Sequence, residues 1–177
     1  MHVCLLEVES AVGRTVPDVQ CASFFEKIEQ PYRDILVLMR YTGLRLTEVL
    51  DLTWQQIDFN RNVIFIRSRE VPLLPQALLV LKDLFNMIVD HKARVFNGAS
   101  GSAIDPLELL RSFEQARLED GLPITFSMIA LRHFFVKDLF QRNISFLAIG
   151  KMLGVFDAAK LMVFASYIPL KRQDIVL

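Results

Sequence analysis

The sequence predicts a mainly helical α+β fold in one domain, with a single small sheet, and three features carry that reading. Long apolar stretches recur between helix-stop and helix-start signals. Asp34-Ile35-Leu36-Val37-Leu38-Met39-Arg40-Tyr41 and Met128-Ile129-Ala130-Leu131-Arg132-His133-Phe134-Phe135 both hold too many large apolar side chains to be anything but core helices. Residues 62 to 67 are β-branched and aromatic, as a strand requires. The chain has 177 residues, 53% of them hydrophobic and 14 of them Phe, so it can bury one substantial core with little left over for disorder.

Taken in order, residues 1 to 18 are mixed in character and are expected to form an N-terminal arm, which leaves residues 19 to 177 as the domain. Ser23-Phe24-Phe25-Glu26 has the form of a capping box, a hydroxyl three residues ahead of a carboxylate, and is expected to open a short helix. Pro31 suits the first turn of the next helix, where its missing N–H costs nothing. Gly43 closes that helix, because glycine most readily takes the left-handed conformation of a helix stop. Asp58-Phe59-Asn60-Arg61-Asn62 is turn chemistry leading into the strand at 62 to 67. From Pro75 to about Val89, Leu78, Leu81, Leu84, Phe85 and Ile88 repeat with helical period. Phe96-Asn97-Gly98-Ala99-Ser100-Gly101-Ser102 is expected to be the one flexible connector. Asp105-Pro106-Leu107-Glu108 then caps a helix reaching toward Gly121. Ser127 to Phe140, Ser145 to Leu153 and Asp157 to Tyr167 read as three further helices with short joints. There is no internal repeat, low-complexity tract or second-domain boundary.

Charge and cysteine usage narrow the function classes. The formal net charge is zero, which counts against tight nonspecific binding to duplex DNA. Cys4 and Cys21 have no metal-ligand spacing and no disulfide framework, and are expected to be reduced thiols. Charge or proline interrupts every apolar run well short of a membrane span, and no basic stretch precedes an apolar core at the N-terminus. The expected setting is the cytoplasm, with nucleoid association if the source is bacterial or phage, and no membrane partner.

The stretch Thr42-Gly43-Leu44-Arg45-Leu46-Thr47-Glu48-Val49-Leu50 sets an arginine at a helix–helix corner, with Leu44 and Leu46 anchoring its flanks. Local physics leaves two readings of Arg45: a guanidinium on a rigid pedestal facing an anion, or one that snorkels to solvent and pairs with Glu48 one turn on. A second arginine, Arg132, lies in the apolar helix at 128 to 135, and Ser145-Phe146-Leu147-Ala148-Ile149-Gly150-Lys151-Met152-Leu153-Gly154 follows a short polar break. This order resembles the catalytic domain of the tyrosine recombinases, the phage-integrase family. Thr42-Gly43-Leu44-Arg45 with Glu48 resembles the family's first arginine motif, Leu131-Arg132-His133 its second, and Leu153-Gly154 the start of its Leu-Gly-His motif. Leu52-Thr53-Trp54-Gln55-Gln56-Ile57-Asp58 followed by Asn62-Val63-Ile64-Phe65-Ile66 resembles its helix-to-hairpin passage, and Glu70-Val71-Pro72-Leu73 the hairpin's exit. The resemblance covers roughly residues 15 to 170 and makes the expected fold mainly α with a small antiparallel β-sheet.

The chemistry the resemblance implies is phosphoryl transfer without metal or other cofactor. A tyrosine hydroxyl attacks a DNA phosphodiester, forms a 3′-phosphotyrosyl bond and frees a 5′-hydroxyl that can later reverse the step. Arg45 and Arg132 would donate paired hydrogen bonds to the nonbridging oxygens. The chain departs from the pattern at the assisting positions. The family's first histidine falls on Ile129, its second histidine or tryptophan on Val155, and the usual position of its tyrosine, nine residues later, on Phe164. The hairpin offers Arg67 and Arg69 in a turn shorter than the usual lysine-bearing one, and arginine is a poor general acid. Tyr167, three residues beyond Phe164 on nearly the same helical face, is either the nucleophile or a packed ring with an exposed hydroxyl. His133 is either a phosphate or proton ligand or a buttress of its helix. His2 and His91 take no role.

Two classes of function follow from this. One is a DNA strand-exchange enzyme using Tyr167. The other is a noncatalytic relative that binds DNA, or serves as an interaction module, self-associating or pairing with another recombinase through its apolar C-terminal helix.

Overall fold

The helices form where apolar runs meet their end signals. The computed structural model describes residues 18–87, 94–98 and 101–155, together with residues 157, 160 and 164. Helix α1 spans Asp18–Glu26 and α2 spans Tyr32–Thr42. Gly43 closes α2 at φ 64°, and its N–H donates to the Met39 carbonyl at 2.9 Å. The short α3, Leu46–Leu50, starts three residues later, so the corner at Leu44 and Arg45 is fixed on both sides. A 3-10 turn at Trp54–Gln56 leads into the sheet.

The sheet is three-stranded and antiparallel in the order β1-β2-β3, made of Ile57–Asp58, Val63–Ile66 and Arg69–Pro72. Ile64 faces Ile57 on one side and Val71 on the other, and Ile64, Ile66 and Val71 point into the core. Asn62, expected as the first strand residue, belongs to the preceding turn at φ 53°. Arg67 and Ser68 form a two-residue hairpin turn, which brings Arg69 into register opposite Ile66.

Helix α4 spans Pro75–Met87, α5 Pro106–Glu119, α6 Met128–Gln141 and α7 Phe146–Leu153. Asp105 caps α5 by accepting from the Leu107 N–H at 2.8 Å, and Ser145 caps α7 by accepting from Ala148 at 3.3 Å. Helix α2 packs against α1, α3, α4 and α6, while α7 packs against β3 and α6. Phe24, Phe113, Phe126 and Phe134 join α1, α5 and α6 around one aromatic cluster, with the Phe24 ring 4.9 Å from Phe113 and 5.1 Å from Phe126. Arg40, buried in α2, pairs with Asp138 of α6 at 2.7 Å between the rings of Tyr41 and Phe134.

Two local expectations need correction. Ser23 does not open a helix, since α1 already begins at Asp18. Its hydroxyl instead donates to Asp120 at 2.7 Å, and Lys27 pairs with the same carboxylate, so the Ser-x-x-Glu pattern reflects a tertiary contact with the end of α5. The connector expected to be flexible from Phe96 is anchored at its start. Phe96 is buried, the Val95 N–H donates to the Leu52 carbonyl at 2.8 Å, and Gly98 donates to Ser102 at 2.8 Å. The arm at residues 1 to 18 lies outside the described residues except for Asp18, which opens α1. His91 and the last residues of the helix expected from Pro75 to Val89 also lie outside them, as does most of the helix expected from Asp157 to Tyr167. Among the described residues, no helix is long and apolar enough to cross a membrane, and no His, Cys, Asp and Glu cluster could hold a metal ion.

Candidate functional site

Glu48 stands in the first turn of α3 and organises the corner. Its Oε2 accepts the backbone N–H of Arg45 at 2.8 Å, the carboxylate half of a capping box. Its Oε1 accepts from two guanidinium groups, Arg69 Nη2 at 2.8 Å and Arg45 Nη1 at 3.4 Å. Arg45 itself has extended backbone and a side chain that is 53% exposed. Arg69 comes from the first position of β3 and is only 10% exposed, and its Nε also donates to the Met152 carbonyl at 2.9 Å.

Arg132 reaches the same corner from the second turn of α6. Its Nη1 donates to the Gly43 carbonyl at 2.8 Å and its Nη2 to the Leu153 carbonyl at 2.7 Å. Those carbonyls end α2 and α7, where helices leave acceptors unpaired and carry partial negative charge, so a guanidinium is well placed to bind both. Three of its five N–H donors are left over from these two bonds.

The electrostatics tie the groups into one cluster. Burial lowers the Arg132 pKa to about 10, with Arg45 and Arg69 pushing the same way and Glu48 opposing them. The group remains charged at neutral pH. Burial works against ionisation of Glu48, but the Arg45 N–H and the Arg69 guanidinium outweigh it and hold its carboxyl below the usual range. Three positive groups against one carboxylate leave two positive charges at the corner, which suits an anion with paired acceptor oxygens.

Two glycines make this approach possible. Gly154 closes α7 at φ 65°, and a Cβ there would lie 2.7 Å from Arg69 Nη1. A Cβ on Gly43 would run into the Phe135 ring.

Three of the remaining sequence candidates lie on or next to the elements of this corner. His133 is buried, its ring 4.9 Å from that of Phe164, and burial followed by Arg132 lowers its pKa to about 4. Ile129, one turn before Arg132 on α6, is 53% exposed, and Val155 is half-buried beside Gly154. Phe164 is 7% exposed. Tyr167 lies outside the described residues. Sequence reasoning weighed Arg69 only as a stand-in for a hairpin lysine. Its link to Glu48 could have been sought in the opposite charges, but its link to Met152 could not, since any residue supplies a carbonyl.

Comparison with known proteins identifies the family and the fold. Residues 18–167 match the model of the phage integrase family. The chain is similar to tyrosine recombinase XerC of Mesorhizobium japonicum, 29% identical over 129 residues that make up 68% of this chain and 41% of that protein. It is also similar to tyrosine recombinase XerC of Rhizobium meliloti, 29% identical over 142 residues, or 75% of this chain and 44% of that protein. The chain thus spans less than half the length of these relatives. Among solved structures it is similar in fold to XerA recombinase, with a TM-score of 0.71 at 17% identity over 89% of this chain and 59% of that one. It also resembles the XerH site-specific recombinase bound to a palindromic difH substrate in a post-cleavage complex, with a TM-score of 0.67 at 18% identity over 90% of this chain and 50% of that one.

Proposed function

The chain belongs to the phage integrase family, and from that premise we propose that it is a DNA-binding domain of the tyrosine-recombinase type, acting in site-specific recombination or integration, whose own strand cleavage is impaired. The observation that carries this reading is the contrast within one corner. Arg45, Arg69 and Arg132 gather around Glu48, while Ile129, Val155 and Phe164 hold the positions where the family has proton-transfer groups and its nucleophile. A backbone phosphate between Arg45 and Arg132 would receive planar, charge-assisted donors from both. A phenol with a pKa near 10 needs its proton managed to attack at neutral pH, and general acid–base assistance contributes about 10²–10⁴-fold. Ile129 and Val155 have no proton to exchange, and His133, neutral in the core with a pKa of about 4, is a weak base.

The active alternative uses Tyr167 as nucleophile, and the extension of the family match to residue 167 favours keeping it in view. Weak self-association, or pairing with another recombinase, through the C-terminal segment is part of this reading, and the Phe164 ring lies buried on His133. In a bacterial or phage setting the domain works in the cytoplasm on the nucleoid.

Titrating a labelled duplex at two ionic strengths tests the binding claim. The affinity is expected to be modest and to fall with salt as counterions are released. Arg45→Ala, at a half-exposed side chain, is expected to weaken it about tenfold, the order of a lost charge-assisted hydrogen bond. Tight binding indifferent to salt, or no binding at all, contradicts the reading.

A further inference from the structure

Arg69 touches both halves of the site. Through Glu48 it reaches the start of α3, where Glu48 holds the Arg45 backbone and pairs with its guanidinium. Through the Met152 carbonyl it holds the end of α7, one residue from the Leu153 carbonyl that binds Arg132. We propose that Arg69 is a positioning residue that sets Arg45 and Arg132 in register for one phosphodiester without contacting the phosphate itself. This deepens the proposed function and rests on it.

Three observations separate this role from the alternatives. The Arg69 side chain is 10% exposed, with Nε and Nη2 engaged, so it is poorly placed to receive a DNA phosphate. The guanidinium passes directly over Gly154, where a Cβ would lie 2.7 Å from Nη1, so the missing side chain there leaves room for Arg69 to reach both partners. Charges taken from water gain little from a simple ion pair. Here the contacts land beside both phosphate-binding candidates, since Glu48 pairs with Arg45 and the Met152 carbonyl neighbours the Leu153 carbonyl that binds Arg132. A guanidinium suits the position because its Nε and Nη2, held apart on a rigid planar fork, donate to Met152 and Glu48 in two directions, whereas an ammonium has to reach both partners from a single nitrogen.

The test uses the full chain labelled with nitrogen-15. The guanidinium resonances of Arg45, Arg132, Arg40 and Arg117 are assigned through single Lys substitutions, and duplex affinity is measured in parallel. Arg40 and Arg117 are buried arginines paired elsewhere, with Asp138 and Glu114, and serve as internal controls. Arg69→Gln is expected to shift the Arg45 and Arg132 resonances, to leave those of Arg40 and Arg117 in place, and to weaken duplex binding about tenfold. Arg69→Lys should recover part of that loss. Added to Arg45→Ala, Arg69→Gln is expected to cost less than its full effect, because part of it acts through Arg45.

Unmoved Arg45 and Arg132 resonances overturn the proposal. A shift of all four arginines also overturns it, since it marks a general loosening, and so does an affinity loss fully additive with Arg45→Ala, since it marks direct contact. A wild-type chain that binds no duplex removes the functional reading instead, and the resonances still decide the role of Arg69.

Discussion

Glu48 and His133 show how single residues set the chemistry of this corner. Glu48 is held ionised by its neighbours, and its two oxygens connect a helix start to two guanidinium groups. His133 is held neutral, and this has a measurable consequence. Its pKa is about 4 in the folded chain against about 6.5 when unfolded, so between those values the unfolded chain takes up a proton that the folded chain refuses. Its contribution to stability is complete above about pH 6.5 and declines as pH falls, by about 2 kcal/mol at pH 5. Urea midpoints measured from neutral pH to pH 5 should therefore drop more steeply for the wild type than for His133→Gln, and parallel slopes would refute the buried neutral state. Gly154→Ala tests the other constraint. Left-handed backbone costs an alanine about 1–2 kcal/mol, and the added Cβ at 2.7 Å from Nη1 must displace Arg69. Chemical denaturation should show a loss of at least that size, and a neutral result would contradict both the backbone strain and the contact with Arg69.

At the scale of elements, the site exists because helix ends and a strand start converge. Gly43 and Leu153 present terminal carbonyls, α3 presents its first turn, and β3 delivers Arg69 after a two-residue turn. Much of this was legible in the sequence. Gly43, Asp105-Pro106 and Ser145 each carry a local stop or start signal strong enough to place a helix end, and the β-branched and aromatic run at 62 to 67 pointed to the central strand, which spans Val63–Ile66. Ser23 misled because its hydroxyl and the charge of Lys27 serve Asp120, far away in sequence. The tie from Arg69 to Met152 was illegible for a similar reason, since it depends on how α7 meets β3. The C-terminal segment can be tested at this scale through its described anchor. Phe164 is nine-tenths buried against His133, so Phe164→Ala is expected to cost about 3 kcal/mol by leaving a cavity, with a matching fall in melting temperature. An unchanged melting temperature would mean that the segment is not part of the core.

For the whole molecule, zero net charge and a concentrated positive corner pull in different directions. Overall neutrality gives little long-range attraction to DNA, so binding must come from a few well-placed contacts and should weaken with salt in proportion to the phosphates contacted. Family membership, the fold and the arginine corner make DNA the expected partner, and the proposal adds slow chemistry as the expected behaviour. These claims meet in one measurement. The wild type and Tyr167→Phe are incubated with a pool of nicked suicide duplexes of randomised sequence, then resolved on native gels for binding and on denaturing gels for covalent adducts. The account predicts retained duplex on the native gel and no covalent band for either protein. A covalent band formed by the wild type and lost in Tyr167→Phe would contradict it and establish Tyr167 as a working nucleophile.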